Sequence, residues 1–426
     1  MIIGKILTRG GTIVTKESRY NHNVTINGDN IIYNSITKAS ININKKFSLS
    51  KLDIFNEEDM KKLRRLGMVV DERDDELANL HYMFNKNYFG RNNFLNIVLV
   101  PGLDCNFKCP YCFERVNART EFSTKPDTYF EALKKFALKN FNYYDMVEIS
   151  LFGGEPLLFG NHIFDFFEYI DGTKLSSLYF SSIVTNGALL NSDMANKLLK
   201  YKCRSMQVTI DGWKQVHDKN RIFKDGEKSY DLLMENINEV VSLLPKECQF
   251  NLRINLNNVT VSEVSTTLAG ITLENRSKIK ILFRPIYNTE NFKQNNSNKF
   301  NNLKPFFDLA IDMGFDIVHN TYYYQACEAC SGDNFFFIMP DLTLWKCIND
   351  INFQQAQIGQ INEDGTIQFE ANKLLQWYKY SNCFLDENCK QCNLLPDCYG
   401  GCVLYKAKNG TRSCKEFEMS ALPYLY

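Results

Sequence analysis

The stretch CNFKCPYCFE, Cys105–Glu114, places three cysteines at spacings of four and three, with Tyr111 immediately before the last. Three is an odd number for a disulfide framework, and thiols stay reduced in the cytosol. An ordinary zinc site takes four ligands, and no His or Cys stands within fifteen residues after Cys112. Ferredoxin-type clusters also take four cysteines each. A four-iron cubane held by Cys105, Cys109 and Cys112 instead keeps one iron open to a further ligand.

The cysteines follow directly on an apolar run, NIVLV, that ends at Val100. Five more such runs end at Phe152, Val184, Ile210, Leu256 and Ile286, with helical segments such as PDTYFEALKKFALKNF and KSYDLLMENINEVVSLL between them. Six strands each followed by a helix predict an α/β fold with a parallel sheet curled into a partial barrel. In such a sheet the chemistry gathers at the C-terminal strand ends. FGGEP (Phe152–Pro156), TNG (Thr185–Gly187) and TIDGW (Thr209–Trp213) all stand at those ends.

The flanking regions have a different texture. Residues 1–93 carry a hairpin signal around Asn27–Gly28, a helix capped by Asn56 and stopped by Gly67, then a short strand and a second helix in DELANLHYMF. This pattern predicts a small winged-helix-like module. After Pro305 a helix continues to about Asp312, and NFKQNNSNKFNN before it reads as a polar surface loop. Beyond it come short runs, turns and cysteines, expected to be cross-linked by metal rather than held by burial. The expected domains are 1–93, 94–315 and 316–426.

The chain has 426 residues, 44% of them hydrophobic, and two or three domains are expected at about 150 residues each. Lys+Arg and Asp+Glu both total 49, which argues against nucleic acid and anionic membranes as partners. No signal peptide and no apolar run of spanning length is evident, so a soluble cytoplasmic protein is expected. Of the 14 cysteines, eleven fall in two groups, Cys105–Cys112 and, leaving aside Cys383, Cys327–Cys414. Cys203 and Cys248 precede apolar runs and read as small buried hydrophobes. Cys383 is a spare.

These motifs together resemble the radical S-adenosylmethionine (SAM) superfamily. The resemblance implies a partial (β/α)6 barrel whose open iron binds the amino and carboxylate groups of SAM. It implies that Gly153, Gly154, Glu155 and Pro156 meet the methionine ammonium, a carboxylate against an ammonium being a charge-assisted hydrogen bond. Tyr111, Thr185, Asn186, Thr209 and Asp211 would complete the SAM site. HDKNR (His217–Arg221) resembles a stretch after the fourth strand in one large subgroup; His217 itself is expected to be structural. The implied reaction reduces SAM by one electron, and the resulting 5′-deoxyadenosyl radical takes a hydrogen atom from substrate, the cofactors carrying the difficult chemistry.

The tail spacing Cys389, Cys392, Cys398 and Cys402, with Cys347 before and Cys414 after, resembles the SPASM extension of peptide-modifying members. A pair of zinc sites is the other reading of that spacing. The resemblance implies one auxiliary cluster on Cys327, Cys330, Cys347 and Cys402 and another on Cys389, Cys392, Cys398 and Cys414, making three four-iron clusters in all. Cys383 is an alternative to Cys327. Two departures stand out. The family places glycine where this chain has Leu342, so a positive-φ turn is not expected there. Sulfatase-maturing members carry aspartate where this chain has Ile348, which argues against that activity.

The expected function is therefore a peptide maturase acting on a ribosomally made precursor peptide, fed by a flavodoxin or ferredoxin. It would install a cross-link, with a thioether favoured, and its N-terminal module would hold a leader by edge-strand pairing. The alternatives are serine or cysteine oxidation of the sulfatase-maturing kind, another SPASM-type dehydrogenation, and a cluster-bearing electron carrier without turnover of SAM.

Overall fold

The six apolar runs form six parallel strands in a computed structural model. The structure describes residues 14–26, 29–43, 49, 52, 55–88, 93–112, 125–256, 258–286, 303–318, 332, 334–412 and 414. With β1 to β5 in the N-terminal residues given below, the six are β6 (Phe94–Leu99), β7 (Met146–Leu151), β8 (Tyr179–Thr185), β9 (Cys203–Asp211), β10 (Gln249–Leu256) and β11 (Ile279–Pro285). They lie side by side in sequence order, each parallel to the next. This is the predicted α/β half-barrel, with right-handed β–helix–β units as its natural connection.

Alternation sorts the side chains. In β7, Val147, Ile149 and Leu151 are buried, and Glu148 and Ser150 on the opposite face are half-buried. The apolar face meets helices at 126–140, 160–171, 192–200, 230–243 and 261–269. Phe130, Leu133 and Phe136 from the first of these, and Phe166, Phe167 and Ile170 from the second, belong to that one core. The inward polar residues bond across strands: Asn96 and Ser182 both donate to Glu148, at 3.0 and 3.1 Å. Local signals set the helix starts. Pro126 opens the first helix, Asn191 accepts from Met194 N–H, and Thr260 with Glu263 forms a capping box.

The C-terminal residues depart from expectation, because they do bury a core. β12 (Asp316–Ile317) extends the sheet beside β11. On the other side β13 (Phe335–Ile338) runs parallel to β6, followed by antiparallel β14 (Thr343–Trp345), β15 (Gln357–Ile361) and β16 (Ile367–Phe369). Trp345, Ile348, Ile351, Trp377, Val403 and Leu404 pack with Val98 and Val100 of the barrel's first strand and its end. The turn between β13 and β14 also corrects the reading of Leu342. Its φ is +65°, so the left-handed turn is present without glycine. Leu342 N–H donates to Met339 O at 2.8 Å, Asp341 accepts from Thr343, and the leucine side chain packs on the main core. These contacts offset a cost of about 1–2 kcal/mol for that backbone.

The chain packs as two compact units, one of residues 87–382 with 400–425, the other of residues 1–86 with 383–399. In the second unit β1 (Thr15–Glu17) pairs with β5 (Val69–Asp71), and β2 (Asn21–Ile26), β3 (Asp29–Asn34) and β4 (Ser40–Ile43) form an antiparallel meander. The β2–β3 register brings Ile26 opposite Asp29, the two-residue hairpin expected; Asn27–Gly28 themselves lie outside the described residues. Helices span Glu57–Arg65 and Glu76–Tyr88, the first capped by Asn56 as expected. The cysteine-bearing segment from Cys383 to Tyr399, expected with the C-terminal residues, belongs to this unit. Among the described residues no helix is long and apolar enough to cross a membrane.

Candidate active site

The loop after β6 carries Cys105, Cys109 and Cys112, and the loop after β7 is pressed against it. Gly154 N–H donates to Gly102 O at 3.2 Å, and Glu155 N–H to Asp104 O at 2.8 Å. A Cβ on Gly154 would lie 2.2 Å from Asp104 O and 2.4 Å from Leu103 O, and Gly153 has a φ of +126°. The two glycines are therefore what lets GGEP and the cysteine loop touch backbone to backbone. The three thiols are half-buried. Burial raises the pKa of Cys105 and pushes Cys109 up to about 12; the charge of Cys112 adds to the rise at both, and that of Cys105 to the rise at Cys109.

Glu155 is wholly buried. Its Oε1 accepts from Leu157 N–H at 3.0 Å and Thr185 Oγ1 at 2.7 Å; its Oε2 accepts from Asn186 N–H at 2.8 Å. Burial raises its pKa and these donors oppose the rise. A carboxylate offers about four lone-pair sites, so one on Oε2 remains for a cation. Thr185 Oγ1 is already engaged, since it also accepts from Gly187 N–H at 3.1 Å. Asn186 reaches the cysteine loop, donating to Asn106 Oδ1 at 2.6 Å and to Cys105 Sγ at 3.6 Å.

A second buried carboxylate, Asp211, ends β9. It accepts from Tyr111 Oη at 2.7 Å and from Asn255 and Asn220 at 3.0 Å each. Tyr111 Oη in turn accepts from Arg221 at 3.2 Å. Arg221 is buried over the Phe107 ring, and its Nε has no hydrogen-bond partner among the described residues. His217 is structural, as expected. Its Nδ1 accepts from Asp211 N–H at 3.2 Å, so Nε2 carries the proton and donates to Ser229 Oγ at 3.0 Å. Burial holds its pKa well below the ordinary value, which keeps the ring neutral. Thr209 is half-buried on the same face of β9 as Asp211.

Residues 99–268 match the model of the Radical SAM superfamily. The chain carries a radical SAM domain. It is similar to the cysteine-type anaerobic sulfatase-maturating enzyme of Clostridium novyi, 24% identical over 74% of this chain and 91% of that protein. It is also similar to the radical SAM cyclopropyl synthase TigE of Paramaledivibacter caminithermalis, 26% identical over 72% of this chain and 67% of that one. Among solved structures, native anSMEcpe with bound AdoMet is similar over 78% of this chain and 95% of that one, with a TM-score of 0.60 and 19% identity. Streptococcus suis SuiB bound to precursor peptide SuiA is similar over 96% and 100%, with a TM-score of 0.52 and 16% identity. The enzyme expectation therefore stands, and the electron-carrier alternative falls.

A radical SAM domain holds a four-iron cluster and SAM, and the barrel residues suit both. The donors at Cys105, Cys109 and Cys112 are sulfur alone, which suits iron–sulfur chemistry. Among the described residues no three or more His, Cys, Asp or Glu side chains are already drawn around one ion position. The arginine and the three asparagines, Arg221, Asn106, Asn220 and Asn255, were not singled out from sequence; HDKNR alone pointed toward two of them.

The tail cysteines divide between the two units. Cys347, Cys402 and Cys414 belong to the unit that holds the barrel strands; Cys383, Cys389, Cys392 and Cys398 belong with the N-terminal unit. Cys327 and Cys330 lie outside the described residues. Lys346, fully buried, donates to Phe335 O at 2.7 Å and to Gly332 O, which ties the backbone just after Cys330 to the residue before Cys347.

Proposed function

We propose that the protein is a peptide maturase that binds SAM at Cys105, Cys109, Cys112, Gly153, Gly154, Glu155, Pro156 and Arg221, and modifies a ribosomally made precursor peptide. The observation that carries this reading is the extent of likeness to SuiB with its precursor peptide: 96% of the chain, N-terminal residues included. The likeness to anSMEcpe reaches 78%. In this reading the remaining lone pair of Glu155 and the glycine backbone take the methionine ammonium. Asp211, Thr185 and Asn186 hold other residues in place instead of touching SAM. Residues 1–93 recognise a leader, 94–315 carry the radical chemistry, and 316–426 hold two auxiliary clusters with the ligand sets implied by the SPASM resemblance. A flavodoxin or ferredoxin in the cytoplasm supplies the electron.

When bound, the cluster and SAM together supply a radical that removes one hydrogen atom from the peptide. Thioether formation would then balance: the cysteine thiol gives up a proton, an auxiliary cluster held by the tail cysteines would supply the acceptor for one electron, and the peptide is lighter by two hydrogens. A second reading, serine or cysteine oxidation in a sulfatase, is favoured by the relative from Clostridium novyi. Against it, Ile348 is buried in the second core where that activity would need a base.

Anaerobic reconstitution tests the reading. About 12 irons per chain are expected from three four-iron clusters, and 5′-deoxyadenosine should form with SAM and reductant. Incubation with a cysteine-containing precursor peptide, sought among short reading frames beside the gene, should yield a product lacking two hydrogens, whose cysteine no longer reacts with an alkylating reagent. Turnover of a sulfatase peptide with none of the precursor would replace the first reading by the second.

A further inference from the structure

The segment Cys383–Tyr399 is fastened, turn by turn, by residues from the other end of the chain. Phe384 stacks on His81, ring centroids 4.1 Å apart, and packs on Phe84. Arg19 donates to Lys390 O at 2.7 Å, between Cys389 and Cys392. Ser35 Oγ donates to Asn393 O at 3.3 Å, one residue past Cys392. Asp397, next to Cys398, is 3% exposed. It forms an ion pair with Lys38 and accepts from Tyr33 Oη at 3.3 Å. Tyr399 adopts a left-handed φ of +44° and stacks on Phe84. Every cysteine in the segment is thus within one or two residues of a tie to residues 19–84.

We propose that Lys38, supported by Arg19, Ser35 and His81, is a positioning residue for Cys389, Cys392 and Cys398 as ligands of an auxiliary iron–sulfur cluster. The N-terminal module and that cluster then form one cooperative piece. The donor set suits a cluster: the three cysteines supply sulfur alone. Asp397, the nearest carboxylate in sequence, is held by Lys38. The ammonium of Lys38 matters because Asp397 is buried and next in the chain to Cys398, a thiol that is deprotonated when it binds metal. Without Lys38 the buried carboxylate is left uncompensated and must swing toward water, and it takes the Cys398 turn with it. Whatever binds the N-terminal module would be felt at the cluster, and the reverse, since linkage is reciprocal.

The proposal rests on the auxiliary-cluster reading above, and the test separates the two. The parent is the full chain with Cys105, Cys109 and Cys112 all replaced by Ala, so that its iron reports only on the tail cysteines. Iron per chain and the reduced-state EPR spectrum are measured for the parent and for Lys38→Met and Lys38→Arg in it. The expected result is loss of about half the parent's iron, one of two four-iron clusters, in Lys38→Met. Lys38→Arg should retain it. In an otherwise wild-type chain, Lys38→Met should keep the EPR change that SAM produces at the barrel cluster, which shows that the loss is local. A Lys38→Met protein with the parent's iron and spectrum overturns the coupling. So does loss of the barrel signal as well. A parent with no iron also overturns it, and does so through the cluster reading, before any change at Lys38.

Discussion

At the scale of single residues, two buried groups make opposite demands. Glu155 takes three protein donors on its two oxygens. Glu155→Gln would aim an amide N–H at one of them, and leaving a buried donor unmatched costs about 1–3 kcal/mol. The variant should therefore unfold at lower denaturant in the apo state and also bind SAM more weakly, as equilibrium dialysis would measure. Weaker binding with unchanged stability would mean that the three protein bonds are not what holds the carboxylate. His217 is buried and neutral, with its pKa held well below the ordinary 6.5. As pH falls below 6.5 the unfolded chain takes up a proton that the folded chain refuses, so stability falls, by up to about 1.4 kcal/mol per unit. His217→Asn removes that component. The stability gap between wild type and variant should shrink from pH 6.5 to 5.5, and a constant gap would show that the ring titrates alike in both states. Cys105, Cys109, Cys112 and Glu155 could be singled out from sequence because each lies in a short motif at the end of its own strand. Asn255 was not, because its partner Asp211 is 44 positions away on another strand.

At the scale of elements, the site depends on two loops touching through backbone. Gly154→Ala puts a methyl carbon where Asp104 O and Leu103 O already stand. Backbone cannot step aside as a flexible side chain can, so the cysteine loop must move. The expected outcome is a folded protein that lacks the barrel cluster, about a third of the iron if three clusters are present, and forms no 5′-deoxyadenosine. Full iron content in this variant would mean that the loop tolerates the shift. The six barrel strands were legible because each has enough residues for its apolar run to stand out and a helix to follow it. β13 to β16 were not: they have three to five residues each, too few for alternation to register. The helix at 371–381 buries only Trp377 and Ser381, which leaves no apolar stripe to read. The Leu342 turn was misread for a related reason. Its left-handed backbone is sustained by packing and by Asp341, neither visible in a glycine rule.

At the scale of the molecule, the N-terminal residues are not a detachable appendage. Lys38 and Asp397 are 359 positions apart in one unit, a pairing that no local pattern announces. Deleting residues 1–90 would strip the partners of Phe384, Lys390 and Asp397 together, so truncation cannot separate leader recognition from folding. A point change on a strand edge that has no partner strand among the described residues can. In the β3–β4 ladder Asn34 N–H bonds Ala39 O, so by antiparallel alternation Ile41 bonds inward and Asn42, exposed on β4, turns its N–H outward. Asn42→Pro removes that outward donor and leaves the ladder bonds in place. If a leader pairs with this edge, modification of the full precursor should fall roughly tenfold or more, because a tethered substrate reacts at an effective concentration in the millimolar range. Iron content and substrate-free cleavage of SAM should not change. Removing the leader from the precursor should produce the same loss in the wild-type enzyme and little further loss in the variant, since both changes break one contact. Modification of the full precursor at the wild-type rate would place leader recognition elsewhere than the β4 edge.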